Sequence, residues 1–346
     1  MKSPLDNLEF TWPKLGNEAV LSFLDESLKN DQLARVYIFC GPDDLGKGTV
    51  ARALARNLLF RDRPELKKNG NDQDFSSLES DFHVLKCEEG KRNISIESTR
   101  EFIHSLSMSS FLDSYKIGLV KGAELLSEGS ANALLKTLEE PRAKVLIILL
   151  TTNLESLPAT IISRAQVLNF YQVPSNQVYD YLLDNFGVSR SQAKNLSALS
   201  LGRPLRAVHF LENEDIYQKY LSLASILLKL INLPLSDRWS LMKGMIGARA
   251  TFSESGREMR LILEIWQGVF RDLLLLNASH DDLLQFSALD NEVREAWRVL
   301  GASLGDNFEN INAYLLAKSQ LLKKHQDYLD ANVSPKNILD SLVINL

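Results

Sequence analysis

The sequence predicts an α/β domain with a parallel sheet covered by helices, followed by two all-helical regions. Over roughly the first 170 residues, short apolar runs alternate with stretches of helical periodicity, which is typical of a parallel sheet. A glycine-containing segment, Gly41 to Thr49, connects the first predicted strand to a helix. Beyond Pro174 the strand pattern ends and only helical patterns remain.

The predicted elements of the α/β domain differ in the spacing of their apolar residues. The five strands are apolar runs: Val36–Cys40, Phe82–Leu85, Tyr115–Val120, Val145–Leu150 and Gln166–Phe170. The helices have apolar residues three and four positions apart: Lys47–Phe60, Ile96–Leu106 and Ser130–Leu138. Val145–Leu150 is apolar throughout, as strands buried on both faces tend to be. We therefore expect helices on both faces of the sheet.

The helical part divides into a small and a large predicted region. Helical patterns interrupted by Gly202 and Pro204 assign residues 171–212 to the small region, after an α/β domain of residues 1–170. Residues 213–346 contain longer helices, and Ser334 before Pro335 predicts the start of the last one. The long helices are Tyr217–Ile231, Gly256–Leu276, Asn291–Leu304 and Asp306–Asp330.

Composition excludes several classes of protein. Lys and Arg total 39 against 44 Asp and Glu, so the chain lacks the basic excess of an autonomous nucleic-acid binder. Its longest aliphatic run, Val145–Leu150, is far shorter than the ~20 residues that cross a bilayer. With no secretory signal evident at the start, we expect a cytoplasmic protein without a membrane segment. Cys40 and Cys87 are the only cysteines, so we expect no structural zinc.

The segment after the first strand has the spacing of a phosphate-binding loop. Gly41, Gly46 and Lys47 lie between a strand and a helix, where backbone N–H groups and a lysine meet phosphates. Gly48 occupies the position of the expected magnesium-binding hydroxyl. Thr49 comes one residue later, a rotation of ~100° on a helix. The loop therefore predicts phosphate-loop ancestry without a complete metal site.

Charges around this loop also disfavour hydrolysis. Asp43 and Asp44 place carboxylates where a triphosphate would bind. The strand ending at Val120 is followed by Lys121 and Gly122, where a magnesium-dependent ATPase has a metal-binding aspartate and often a glutamate. We interpret Glu124 as a solvated loop residue. The sequence predicts no bound metal and no required cofactor. It leaves two alternatives for the loop: ATP or ADP binds weakly without hydrolysis, or no nucleotide binds.

Several segments resemble the AAA+ clamp-loader subunits of bacterial DNA polymerase III. They cover almost the whole chain in the family's order. Within that family, eroded nucleotide motifs beside a retained Ser163-Arg164 are most similar to the delta prime subunits, although Ala165 replaces the family's cysteine. The matching segments are Ala131–Pro141, Thr151–Asn153, Leu157–Arg164, Gly202–Ala207, Trp266–Leu276 and Asn332–Pro335.

The resemblance implies an AAA+ domain, a helical lid over residues 171–212 and an oligomerising collar over residues 213–346. It implies that Arg164, with Ser163 before it, acts as an arginine finger on the ATP of a neighbouring subunit. Arg206 either reaches phosphates from the lid or is a solvated helix residue. The resulting candidates for a vestigial or weak nucleotide site are Gly41, Gly46, Lys47, Thr49 and Arg206.

The resemblance also implies a role in an assembly. With motor subunits tau or gamma and with subunit delta, such a chain would load a sliding clamp on primed DNA, touching DNA only through the complex. One alternative is an ATP-hydrolysing tau- or gamma-like motor subunit. It requires an unusual metal arrangement that tolerates Lys121 and Gly48. Another is an AAA+ adaptor or helicase-loading protein, whose residues 213–346 would not co-purify with clamp-loader subunits. Magnesium-dependent ATP turnover by the purified chain would favour the motor.

Overall fold

The computed structural model describes residues 10–14, 16–61, 81–88, 90–110, 115–140, 144–231, 233–242, 252–331 and 333–346. These form two compact units. The first contains the chain up to Pro174 together with Arg203–Leu205, and the second contains Ser175–Gly202 together with Arg206–Leu346. The predicted boundary between the regions 171–212 and 213–346 stays a prediction.

A five-stranded parallel sheet forms the centre of the first unit. Its spatial order is β2-β3-β4-β1-β5, and every neighbouring pair is parallel. All of β4 is buried, as its uninterrupted apolar sequence predicted. The predicted α/β fold is therefore confirmed. The strands are β1 Val36–Cys40, β2 Phe82–Leu85, β3 Lys116–Lys121, β4 Val145–Thr151 and β5 Gln166–Asn169.

Helices cover both faces of this sheet. Alternate residues of β4 enter two separate buried clusters, with Ile148 in one and Ile147 in the other. The cluster around Ile148 includes apolar residues of α1 and α2, and the other includes residues of α3, α4 and α5. The helices are α1 Glu18–Lys29, α2 Lys47–Leu59, α3 Ile96–Ser107, α4 Glu128–Glu139 and α5 Ala159–Ile162, with short 3-10 turns at Ala123–Leu125 and Leu154–Ser156.

The side chain of Asn17 joins the beginning of the first unit to the chain that follows β5. Its Oδ1 accepts a hydrogen bond from the Tyr171 N–H at 2.7 Å, and its Nδ2 donates to the Tyr171 carbonyl at 3.3 Å. Asn17 adopts a left-handed backbone conformation with φ 55°, which asparagine tolerates better than most residues. One amide side chain thus satisfies both backbone polar groups of Tyr171.

Every regular element described beyond Pro174 is a helix, as predicted. Helix α11 packs against α9, α12, α13 and α14. Its Trp266 is fully buried and donates from Nε1 to the Leu223 carbonyl at 3.1 Å. No described helix combines the length and apolar character that a membrane span requires. The helices are α6 Ser175–Phe186, α7 Arg190–Ser200, α8 Pro204–Glu212, α9 Glu214–Ile231, α10 Leu235–Met242, α11 Phe252–Asn277, α12 Asp290–Ser303, α13 Phe308–Asp330 and α14 Pro335–Asn345.

A buried carboxylate on α11 holds a turn of the second unit. Asp272 Oδ1 accepts from the Gln285 N–H at 2.9 Å, and Oδ2 accepts from the Phe286 N–H at 2.8 Å. Burial raises the pKa of Asp272 to about 6, although these two hydrogen bonds and Arg271 favour the charged form. Both carboxylate oxygens are engaged by backbone groups, so Asp272 has a structural role.

Candidate nucleotide pocket and exposed arginine

The loop between β1 and α2 needs glycine for reasons of backbone geometry. Gly41 has φ 146°, and a Cβ at this position would lie 2.4 Å from the carbonyl oxygen of Phe170. Gly46 precedes α2 with φ 89°, a left-handed conformation that side chains other than glycine rarely adopt. Both glycines are therefore explained by the path of the chain, with or without a ligand.

Lys47 begins α2 and turns its ammonium group into its own loop. Its Nζ donates to the carbonyls of Gly41, Pro42 and Thr151, the last two at 3.1 and 3.0 Å. Burial lowers the pKa of Lys47, and the Asp43 carboxylate, 4.0 Å away, opposes that shift. The ammonium is thus buried and held mainly by neutral carbonyl groups.

A cavity of about 390 Å³ opens beside this loop. It lies where the carboxyl ends of β3 and β4 meet the start of α2, the edge at which ligands bind in open α/β sheets. Thr49 is half-buried and does not line it. The lining residues are Asp43, Asp44, Gly46, Lys47, Gly48, Lys121, Gly122, Glu124, Leu150, Thr151, Thr152 and Leu205.

The two positions of this cavity at which a magnesium-dependent ATPase has metal ligands hold residues that do not bind magnesium. Lys121 and Gly122 line it at the end of β3, and Gly48 follows the loop lysine. None of these three residues offers a side-chain oxygen, the ligand that magnesium prefers, and the carboxylates of the lining come instead from Asp43, Asp44 and Glu124. Across the described part of the chain, no group of three His, Cys, Asp or Glu side chains is arranged to hold a metal ion.

Glu124 is not the solvated loop residue that we expected. It is half-buried in the cavity wall, because a 3-10 turn after β3 directs it toward the end of β4. Its Oε1 accepts from the Thr152 hydroxyl at 3.0 Å, whereas its Oε2 is buried without a hydrogen-bond partner. Spacing along the chain did not reveal this contact, since 28 positions separate the two residues.

Arg164 lies on the surface just after α5. Its Nη2 forms an ion pair with Oε1 of Glu139 at 2.6 Å, and its Nη1 donates to the Thr160 carbonyl at 2.7 Å. The same Nη1 lies 3.2 Å from the hydroxyl of Ser163, which is also exposed. About a third of the Arg164 side chain is exposed. The guanidinium is oriented by local contacts and remains accessible.

Arg206 is not a solvated helix residue, one of the two alternatives that the sequence left open. It is buried in the second unit, where its Nη1 lies 2.6 Å from Oε1 of Glu264 on α11. This partner is 58 positions away in sequence, so no local pattern indicates the pairing. Its predicted contact with nucleotide phosphates stays a prediction.

Comparison with known proteins gives a family match that lies within the first unit. Residues 16–174 match the family described as "DNA polymerase III, delta subunit". The chain is 36% identical over 140 residues to DNA polymerase III subunit delta' of Haemophilus influenzae, covering 40% of this chain and 42% of that protein. It is 29% identical over 169 residues to subunit tau/gamma of the same organism, covering 49% of this chain and 25% of that protein.

The chain thus spans less than half the length of both of these relatives. Among solved structures, the Bacillus subtilis DNA clamp loader delta protein aligns with 94% of this chain and 98% of its own, at 14% identity and a TM-score of 0.36. That score is too low to support a functional argument.

Proposed function

We propose that this chain is a delta prime-type subunit that does not hydrolyse ATP. The premise of the proposal is that the α/β unit belongs to the AAA+ clamp-loader subunits of DNA polymerase III. The proposal rests mainly on one observation, the positive charge of Lys121 at the end of β3. Lys121 and Gly122 line the cavity where a motor subunit needs a metal-binding carboxylate. Without magnesium, the transferred phosphoryl group lacks its main source of charge neutralisation.

In this proposal Arg164 acts on a nucleotide bound by a neighbouring subunit. A guanidinium is permanently charged and planar, so it can form paired hydrogen bonds with phosphate oxygens. Arg164 is exposed and oriented by Glu139 and Thr160, and it needs no contribution from the cavity in its own unit. Such an arginine is worth roughly 10³–10⁵ in turnover in the GTPases where it has been removed.

The partners in this proposal are clamp-loader subunits. The motor would be a tau or gamma subunit, and a delta subunit would contact the sliding clamp. The helical second unit would join these subunits, and primed DNA would be bound by the complex as a whole. A net charge of −5 agrees with DNA binding that is shared among subunits.

The test is reconstitution of the loader with Arg164→Ala. We expect ATP turnover by the complex to fall at least ~10-fold in the absence of DNA, while gel filtration shows an intact assembly. Arg100→Ala is the matched control, because Arg100 is an exposed arginine on α3 of the same unit. Its turnover should stay within about twofold of the unmodified complex. Unchanged turnover with Arg164→Ala would overturn the proposal.

The alternative is an ATP-hydrolysing, tau- or gamma-like subunit. It is favoured by the retained loop spacing, in which Lys47 begins α2, and by the similarity to subunit tau/gamma. The purified chain with ATP and magnesium separates the two proposals. We expect phosphate release no faster than that of Lys47→Ala, and release well above this control would favour the motor subunit.

A further inference from the structure

We propose that Glu139 is a positioning residue for Arg164: its carboxylate holds the guanidinium in the orientation from which it reaches the nucleotide of a neighbouring subunit. The inference rests on the proposed function, because it needs Arg164 to act on a nucleotide. It adds a second side chain to that action, one that touches no phosphate itself. Three features of the α/β unit support it: the contacts of the guanidinium, the elements that carry the two side chains, and the place of Glu139 at the end of a helix.

The contacts of Arg164 leave part of its guanidinium open. Nη2 lies 2.6 Å from Oε1 of Glu139, and Nη1 donates to the Thr160 carbonyl at 2.7 Å and to the Ser163 hydroxyl at 3.2 Å. None of these contacts engages Nε. Since a guanidinium has five N–H donors, the Nε–H and one N–H of Nη2 remain for phosphate oxygens. The contacts therefore fix the group without using up its donors.

Both side chains are carried by elements that the buried core holds in place. Glu139 is the last residue of α4, and Arg164 lies two positions after the end of α5. Leu138 of α4 and Ile161 of α5 belong to the same buried cluster. The backbone N–H of Arg164 also donates to the Ile161 carbonyl at 3.2 Å. Because packing already fixes both backbones, the contact with Glu139 acts on the long arginine side chain and limits its orientations.

The position of Glu139 is unfavourable for α4 itself. A carboxylate in the last turn of a helix lies at the negative end of the helix dipole. Glu140 follows directly, so two carboxylates share this end of α4. An ion pair between partly exposed side chains, such as Glu139 and Arg164, adds little to folding stability. Local stability therefore does not explain a carboxylate at position 139, whereas an orienting contact with Arg164 does.

The negative charge of Glu139 also has an effect that opposes catalysis. It lowers the positive potential that Arg164 presents to a phosphate. The Glu139 side chain is 47% exposed, so solvent weakens this effect. Misplacing a group that acts in the transition state by about 1 Å costs roughly 10²-fold in rate. Orientation therefore outweighs the lowered potential, and removal of the Glu139 carboxylate should slow turnover.

The experiment is steady-state ATP hydrolysis by the reconstituted loader with Glu139→Ala. We expect kcat to fall about fivefold while KM for ATP stays within about twofold, because the neighbouring subunit binds ATP with its own loop. Glu140→Ala is the matched control, since it removes an exposed carboxylate from the same end of α4. Its kcat should stay within about twofold of the unmodified complex. Thermal unfolding and gel filtration check that each variant folds and assembles.

A double variant separates positioning from an independent effect. If Glu139 acts through Arg164, its carboxylate has nothing to position once Arg164 is replaced by alanine. The complex with both substitutions should therefore hydrolyse ATP within about twofold of the rate of Arg164→Ala alone. A merely structural role of Glu139 would instead add its own loss in both backgrounds.

Three results would overturn the inference: an unchanged or raised kcat with Glu139→Ala, an equal fall with Glu140→Ala, or a further fall of the double variant well below Arg164→Ala. If Arg164→Ala lowers turnover and Glu139→Ala does not, only the positioning role is wrong. If Arg164→Ala itself leaves turnover unchanged, the proposed function is wrong as well.

Discussion

The two units treat a buried charge in different ways. In the first, the ammonium of Lys47 is held by three carbonyls in the wall of a cavity and lies 4.0 Å from the Asp43 carboxylate. In the second, the carboxylate of Asp272 is held by two backbone N–H groups of a single turn, and its side chain is fully buried. The first arrangement places a charged group at the edge of a cavity, whereas the second encloses a carboxyl group that fixes a turn.

The largest predicted effect on stability concerns Gly41, because the contrast between Lys47 and Asp272 requires that the loop around Lys47 be firmly held. Gly41→Ala places a Cβ 2.4 Å from the Phe170 carbonyl oxygen, at a φ that disfavours alanine. We expect the free energy of unfolding to fall by roughly 3 kcal/mol in urea denaturation. Gly46→Ala is the control, because its φ is also positive but no atom lies within 4 Å of its Cβ. It should cost only about 1 kcal/mol.

The second predicted effect is a pH dependence of the free energy of unfolding that comes from Asp272. Its folded pKa of about 6 lies above the ordinary 3.8, so its contribution to stability is present at low pH and is lost as pH rises through 6. This group alone should make the protein roughly 1 kcal/mol more stable at pH 5 than at pH 7. Asp272→Asn should remove that difference, whereas Asp282→Asn, at an exposed position, should retain it. An unchanged difference in Asp272→Asn would contradict the raised pKa of Asp272 as its cause.

The smallest expected effect concerns Glu139, the ion-pair partner of Arg164. Both side chains are partly exposed, so solvent screens their attraction. A double-mutant cycle of Glu139→Gln and Arg164→Ala should give a coupling of about 0.5 kcal/mol in unfolding. A coupling of several kcal/mol would mean that Arg164 serves mainly the stability of its own unit, as Asp272 does in the second unit.

The strands and the loop of the first unit were predictable because their signals are local. The predicted strand Val36–Cys40 has the observed bounds, since a run of buried apolar residues ending at a glycine leaves few alternatives. The predicted strand Gln166–Phe170 differs from β5 by one residue. The start of α2 at Lys47 was also predicted, because glycine before a helical apolar pattern marks that boundary.

The remaining features depend on residues far apart in sequence. Helix α1 was not predicted. The contact of Glu124 with Thr152 depends on the register of β3 and β4, and the burial of Arg206 depends on Glu264 of another helix. The need for glycine at position 41 comes from a carbonyl 129 positions away, which becomes a neighbour only when β5 pairs with β1.

The amide of Asn17 forms hydrogen bonds with both backbone polar groups of Tyr171 and so holds two distant points of the first unit side by side. The first unit also includes Arg203–Leu205, so a circular permutant of this unit has to keep that segment. In such a permutant, a short linker from the segment before Asn17 to the segment after Tyr171 would join ends that already lie side by side.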